Sequence, residues 1–307
     1  MDKSKYILEQ TSCNLCGSTN SQVLFKIKGA LLPVLFHVVK CKFCGLAYVN
    51  PRVKKEDAVN FYNEEYYKGS GIDSKFIGSH KEKENDSKLL VKSILENFVS
   101  THSRNYKLLD VGGGEGLVSK YAKEFGFDPL LVELSDNAII KAAENNIPYY
   151  KGEITDKYFD SHRGFYDVIV ALEVIEHLYD PLSFIKKVYQ LLKLGGVFIY
   201  TTGNFEETFF SGKKWKYMSV PEIHIHYFTP KTIKAYFKIA GFKHFIDPYK
   251  YYISNDLGTK ILTKLMITDL NKDTKPKSIF EMFFYSFFFK YFKFVIGRRR
   301  LPFAVKK

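Results

Sequence analysis

From Lys107 onward, apolar positions along this chain alternate between two rhythms. Short runs of aliphatic and aromatic residues fall at Lys107 to Val111, Asp128 to Val132, Tyr149 to Lys151, Tyr166 to Ala171 and Gly196 to Thr201. Their length suits buried strands. Between them lie segments with helical spacing, the clearest running from Pro181, well placed in a first turn, to Leu194 before a stop at Gly195. Strands that alternate with helices pack as a parallel sheet with crossover helices, so the pattern predicts an α/β fold with a doubly wound sheet. Phe242 to Tyr252 and Leu301 to Val305 offer two further strands. Upstream, Leu89, Leu90, Ile94, Leu95 and Phe98 recur at helical spacing behind the N-cap candidates Asn85, Asp86 and Ser87, which predicts one amphipathic helix.

The pattern divides the chain into four parts: 1–52, a small unit with short strands around Gly29 and Pro33; 53–104, a Tyr-rich connector and helix; 105–254, the alternating α/β domain; and 255–307, a C-terminal aromatic helix and last strand. The first part holds all four cysteines, Cys13, Cys16, Cys41 and Cys44. Disulfides that staple a secreted protein are scattered, whereas a metal site gathers its thiols. Two CxxC turns, each followed by glycine (Gly17, Gly45), can bring four thiolates to one point, the donor set of a structural tetrahedral zinc. Neither pair lies between a strand and a helix as a redox dithiol would. Met1 to Tyr6 lacks the apolar core of a signal peptide, so a reducing cytoplasm is the expected compartment.

Composition adds a question of partners. The 307 residues carry a formal net charge of +13, with 46% hydrophobic and 26% charged residues, which describes a globular chain with an anionic partner as one reading of the surplus. Arginine, the residue suited to bidentate phosphate recognition, occurs only six times, three of them at Arg298, Arg299 and Arg300. Ser278 to Gly297, just before that cluster, has ten aromatic residues in twenty, interrupted by Glu281, Lys290 and Lys293. The charges break it too often to span a bilayer. It reads either as a helix packed on the domain or a second copy, the favoured expectation, or as a peripheral membrane contact through 278–300 at the inner membrane face.

Asp110-Val-Gly-Gly-Gly-Glu-Gly116 follows a predicted strand and opens a helix, where a backbone turns tightly against a bound ligand. Position 117 is Leu, so the dinucleotide fingerprint is not met. Glu133 ends the next strand, where a carboxylate can accept from ribose hydroxyls. With Val132-Glu-Leu-Ser135, Lys151-Gly-Glu-Ile154, Tyr166 to Leu178 and Leu191 to Thr202 in order behind it, this stretch resembles the class I S-adenosylmethionine-dependent methyltransferases, from about Lys107 to Phe242. The resemblance implies a Rossmann-like sheet and S-adenosylmethionine as cofactor. Asp110, Gly112 and Gly114 would hold its methionine moiety, Glu133 the ribose, and Glu153 with Ile154 the adenine, while Leu172 would line the methyl site. Gly113 stands where a Cys or another small residue is commoner, a departure expected only to loosen the turn. Glu173, Glu176 and His177 read either as a network that orients the loop after the fourth strand or as direct ligand contacts.

The cysteine unit, the segment Cys44 to Arg52 and the Tyr-rich connector together resemble a bacterial subfamily that includes sugar C-methyltransferases and small-molecule or glycan O-methyltransferases. That likeness implies Tyr67, with Tyr66 second, near the cofactor. It also points to Pro221-Glu-Ile-His-Ile-His-Tyr-Phe-Thr-Pro230, where His224 stands three before the Tyr-Phe pair and is the candidate base, with His226 assisting. In the C-methyltransferases a Glu precedes this His, whereas here the position is Ile223, which favours an O-methyl product. The expectation is therefore methyl transfer to a hydroxyl of a nucleotide-linked or glycan-attached sugar, an anionic acceptor. Two rivals are a zinc-ribbon RNA methyltransferase, disfavoured because no stacking platform interleaves Lys with aromatics in the cysteine unit, and a non-catalytic cofactor-binding scaffold at a membrane.

Overall fold

The computed structural model describes residues 6–64, 80–98, 105–246 and 303–305. In chain order the strands and helices are β1 (Leu8–Glu9), β2 (Ser21–Lys28), β3 (Leu35–Cys41), β4 (Ala47–Val49), β5 (Arg52–Val53), α1 (Lys55–Glu64), α2 (His80–Phe98), β6 (Lys107–Val111), α3 (Leu117–Glu124), β7 (Asp128–Glu133), α4 (Asp136–Glu144), β8 (Tyr149–Lys151), β9 (Tyr166–Leu172), α5 (Pro181–Leu191), β10 (Leu192–Thr201), α6 (Thr208–Ser211), β11 (His226–Tyr227), α7 (Pro230–Ala240), β12 (His244–Ile246) and β13 (Phe303–Val305).

The main sheet has seven strands in the order β12-β13-β10-β9-β6-β7-β8. From β10 to β8 all pairings are parallel, and β13 runs antiparallel to β10. Strand order reverses at β6, which pairs with β7 on one side and β9 on the other; this is the doubly wound α/β arrangement. Near-continuous burial of Leu108, Leu109, Val168, Ile169, Val170, Phe198 and Ile199 follows from helices covering both faces. The aromatic rings of Phe198, Tyr200, Phe237 and Phe242 close the core between β10 and α7, with centroids 5.0 to 6.4 Å apart.

The larger departures from the predicted boundaries fall at α5, at α2 and at β10, which starts at Leu192 and not at Gly196. Helix α5 begins at Pro181 behind the Asp180 cap but ends at Leu191. The amides of Gly164 and Phe165 donate to the carbonyls of Gln190 and Leu191, and Leu192, fully buried, is already paired with Tyr166. The last turn is thus satisfied before Gly195, which serves a bend within β10 instead. Helix α2 begins at His80, so Asn85, Asp86 and Ser87 lie inside it; the charged first turns extend it upstream, and Glu84 pairs with Lys120 of α3. Its apolar face buries Leu90, Val91 and Ile94. Of the predicted strand Phe242 to Tyr252, β12 is seen and the rest lies outside the described residues. Tyr66, Tyr67, the aromatic run 278–297 and Arg298 to Arg300 also lie outside them. Among the described residues no helix is long and apolar enough to cross a membrane.

The cysteine unit shares a sheet with a later segment of the chain. Its hairpin β2–β3 and strand β4 form a four-stranded antiparallel sheet that is completed by β11, nearly two hundred residues away, with His226 opposite Tyr48 and Tyr227 opposite Ala47. Asn14, inside the first CxxC turn, accepts from the Leu182 amide and the Tyr236 hydroxyl and donates to Asp180, tying the turn to α5 and α7. Arg52 lies 4.3 Å above the Tyr179 ring and donates to Glu9 and to the Tyr179 carbonyl. The fully buried Glu222 accepts from the amides of Leu31 and Leu32, anchoring the tip of the β2–β3 hairpin.

That anchor requires a glycine. A Cβ on Gly29 would stand 2.4 Å from Glu222 Oε1 and 2.4 Å from the Leu32 carbonyl oxygen, and the backbone carbonyl cannot rotate away as a side-chain tip could. Gly29→Ala should therefore cost about 1–3 kcal/mol in urea unfolding, an overpacking penalty. An unchanged urea midpoint would show that the hairpin tip is not held as described.

Candidate active site

The carboxyl ends of β6, β7, β9 and β10 lie along one edge of the sheet, at the point where strand order reverses, and loops there gather the predicted residues. After β6 the chain turns through Gly112 (φ 63°), Gly114 (φ 57°) and Gly116 (φ 75°), left-handed conformations that glycine adopts without strain. The Gly112 amide donates to the Val132 carbonyl at 2.8 Å, and a Cβ on Gly112 would stand 2.7 Å from Val174 Cγ2. Gly113 does more than loosen the turn: a Cβ there would stand 2.5 Å from the Asp110 carboxyl carbon, so the glycine makes room for that acid.

Asp110, 2% exposed, accepts from the amide of Ser119 at 3.1 Å and from its hydroxyl at 2.8 Å. It caps α3, whose own N-cap residue Gly116 has no side chain to do so. Burial raises its pKa to about 6, against the lowering effect of Ser119, and the Glu133 charge adds to the rise. Glu133, at the end of β7, accepts from the Gly114 amide through Oε2 at 3.0 Å and from the Leu134 and Ser135 amides through Oε1. It thereby joins the glycine turn to the loop that opens α4. Beyond β8, Ile154 is buried in the core, while Glu153 pairs with Lys55 of α1 at 2.8 Å and its amide donates to Asp156. Nothing in the sequence patterns signals Lys55 or Asp156 as neighbours of this edge.

Leu172 ends β9, half-buried, and Glu173 follows with φ 55°, a left-handed non-glycine residue of the kind that clusters at functional sites. Its amide donates to the Thr201 carbonyl and hydroxyl, and its carboxylate accepts from Tyr217 at 2.6 Å. The turn then delivers Glu176 and His177, and a clip holds them against the distant segment 223–225. The Ile225 amide donates to the Glu176 carbonyl at 3.0 Å, and His177 Nδ1 lies 3.1 Å from the Ile223 carbonyl. His224 Nδ1 lies 2.8 Å from the Tyr217 carbonyl. A carbonyl only accepts, so Nδ1 carries the proton on both rings and Nε2 the lone pair. The two ring centroids are 4.7 Å apart. Desolvation, with the neighbouring His224, holds His177 well below the usual imidazole range. Glu176, 1% exposed, is pushed well above the usual carboxylate range by burial and then by Glu173.

The predicted residues therefore divide. Asp110, Gly112, Gly114, Glu133 and Leu172 share the sheet edge, and His224 joins the corner made by Glu176 and His177. His226 does not join it. Two residues on, in β11, its side chain is 2% exposed and stacked on Phe228, and burial lowers its pKa to about 3. Tyr217, which touches Glu173 through its hydroxyl and supplies the carbonyl for His224, carries no motif and was invisible in the sequence. In the N-terminal unit the four cysteine sulfurs lie within 4.8 Å of one another, with Cys13 and Cys44 at 3.3 Å and Cys16 and Cys41 at 3.5 Å.

Residues 82–244 match a family described as a methyltransferase domain. The chain is 32% identical over 154 residues to ubiquinone biosynthesis O-methyltransferases of Escherichia coli O9:H4 (strain HS) and Escherichia fergusonii, covering 46% of this chain and 60% of each relative. Among solved structures it is similar to the complex of the Haloferax volcanii Trm112 methyltransferase activator with a methyltransferase (17% identity, TM-score 0.48, 73% of this chain and 92% of that one). It is also similar to an Archaeoglobus fulgidus SAM-dependent methyltransferase (18% identity, TM-score 0.42, 62% of this chain and 91% of that one).

The raised pKa of Asp110 fixes the sign of a pH effect. A carboxyl whose folded pKa, about 6, exceeds its ordinary 3.8 favours folding fully below pH 3.8 and loses that advantage as pH rises through 6. Relative to Asp110→Asn, the wild type should lose about 3 kcal/mol of unfolding free energy between pH 3.5 and pH 7, at 1.36 kcal/mol per pH unit. Urea titrations of both proteins across that range check this; a difference that does not vary with pH would contradict it.

Proposed function

The chain belongs to the class I S-adenosylmethionine-dependent methyltransferase family, and on that premise we propose that it transfers a methyl group to a hydroxyl of a small acceptor. One observation carries the reading: the acid-and-glycine turn at the ends of β6 and β7 shares a sheet edge with the Glu176–His177–His224 corner at the end of β9.

The residues at the edge fit S-adenosylmethionine. At Gly112 and Gly113, Val174 and Asp110 leave no room for a Cβ, so only glycine lets the turn fold tightly at the strand ends beside which a ligand would lie. Glu133 offers a carboxylate at the end of β7, suited to a ribose diol, and Asp110 keeps a buried carboxyl beneath the turn that would favour a cationic amino-acid tail. When bound, the group supplies a methyl carbon on a cationic sulfur, which takes the bonding electron pair as the acceptor oxygen forms its new bond. What remains for the chain is alignment and removal of the hydroxyl proton. Alignment rests on the Leu172–Glu173 turn, and proton removal depends on His224, whose Nε2 is made the accepting nitrogen by the Tyr217 carbonyl.

Oxygen as the methylated atom is supported by the printed function of the curated relatives, although the matched segment spans 60% of their length. For the acceptor we favour a sugar hydroxyl in nucleotide-linked or glycan-attached form, because a diphosphate handle would use the surplus of +13. A phenolic hydroxyl is the second reading, favoured by the relatives' printed role in ubiquinone biosynthesis. The four gathered cysteine sulfurs match a closed, structural zinc site, which would brace the N-terminal unit and take no part in chemistry.

Methyl-labelled S-adenosylmethionine offered with nucleotide sugars, glycans, dihydroxybenzoates and RNA should label an oxygen of a small acceptor; label confined to RNA would overturn the reading. Glu133→Ala should weaken S-adenosylhomocysteine binding at least about tenfold in calorimetry, the scale of lost charge-assisted hydrogen bonds. Metal analysis of the purified chain should find zinc that is lost, with thermal stability, in Cys44→Ser. Unaltered metal content in that variant would remove the zinc assignment.

A further inference from the structure

The corner made by Glu176, His177 and His224 has features that proton removal alone does not require. One ligand-capable atom from each lies within 4.8 Å of the others. Glu176 is 1% exposed, and among the described residues neither of its carboxylate oxygens makes a hydrogen bond of regular geometry. An unsatisfied buried carboxyl is costly, and a helix-start network would have paired it with a backbone amide or a hydroxyl. Thr202 and the Glu176 amide are the donors close enough to act on the carboxyl, while others nearby are committed elsewhere: the Tyr217 hydroxyl to Glu173, the Ile225 amide to the Glu176 carbonyl, and the Nδ1 protons of both histidines to backbone carbonyls. This last feature is the arrangement that orients metal-binding histidines, in which a carbonyl fixes one ring nitrogen and the other presents its lone pair. A second carboxylate, Glu173, sits beside the corner, so the group gathers acidic charge with no Lys or Arg among the three.

We propose that Glu176, His177 and His224 bind a divalent transition cation, with coordination positions left for the acceptor. Two imidazoles and one carboxylate suit Mn²⁺, Fe²⁺, Co²⁺ or Zn²⁺ better than Mg²⁺ or Ca²⁺, which take oxygen ligands. Three protein ligands leave a site open, in contrast to the four-thiolate cluster of the N-terminal unit. The inference rests on the methyl-transfer reading for its purpose: a cation held there would acidify a bound acceptor hydroxyl so that its proton passes to solvent, and His224 would then serve as a ligand in place of the base role given it above. An acceptor with two adjacent hydroxyls would fill two open positions at once and so be held in register.

Mn²⁺ is the probe, because it binds thiolates weakly and leaves the cysteine cluster alone. The full chain, dialysed against EDTA, is titrated with Mn²⁺ while the free-ion electron paramagnetic resonance signal is recorded. One site per chain is expected, with affinity reduced at least tenfold in both Glu176→Gln and His224→Ala. The wild-type melting temperature should rise with Mn²⁺, and that of Glu176→Gln should not. Absence of binding, or binding that both variants retain, overturns the proposal. Turnover unaffected by EDTA, with no Mn²⁺ site, would sink the cation and leave the methyltransferase reading standing. A Glu176-dependent Mn²⁺ site in a chain that methylates nothing would support the cation and remove its assigned purpose.

Discussion

Parallel pairing on both sides of β6 is the constraint from which the functional geometry follows. A strand with parallel neighbours on either side must send its crossovers to opposite faces, and the connections diverge at the strands' carboxyl ends. That divergence leaves an edge not filled by helix, lined by the turns that follow the strands. Asp110, Glu133 and Glu173 stand at or just beyond the ends of β6, β7 and β9. Their spacing along the chain is dictated by the length of each crossover unit; their nearness in space is dictated by the sheet.

The edge is then stabilised from outside. Asp110 reaches back to cap α3, Glu133 ties two loops together, and Val174 covers Gly112, so the cofactor-side loops are held by one another. Beyond β9 the long-range clip between 176–177 and 223–225 does the same work, and it is continuous with the pairing of β11 and β4. The cysteine unit is therefore not an appendage. Through β4, Asn14 and the Glu222 anchor it fixes the segment that carries His224.

Much of this was legible in the sequence because parallel strands buried on both faces read as uninterrupted apolar runs: β6 and β8 were placed to the residue, and β7 and β9 to within one. Helix ends were less legible. The stop of α5 depends on the Gly164 and Phe165 amides, which are remote in sequence from Leu191, and Gly195 imitates a stop signal that the strand uses as a bend. Candidate residues on local motifs, Asp110 and Glu133 above all, stand at the strand ends where their motifs put them. The sequence raised Glu176 with His177, and His224 apart from them, but could not bring the two sets together, because their meeting depends on hydrogen bonds across 46 residues. It likewise paired His224 with His226 by alternation, whereas the backbone delivers one to the corner and the other to the core.

The central claim is that ligand recognition is concentrated on this single edge, with the cysteine unit acting only as a brace. Hydrogen–deuterium exchange with and without S-adenosylhomocysteine tests it most directly. The account predicts slowed exchange in 110–116, 131–135 and 172–177, with no change around the cysteines at 41–45. Protection centred on the cysteine unit, with the glycine turn unaffected, would contradict it.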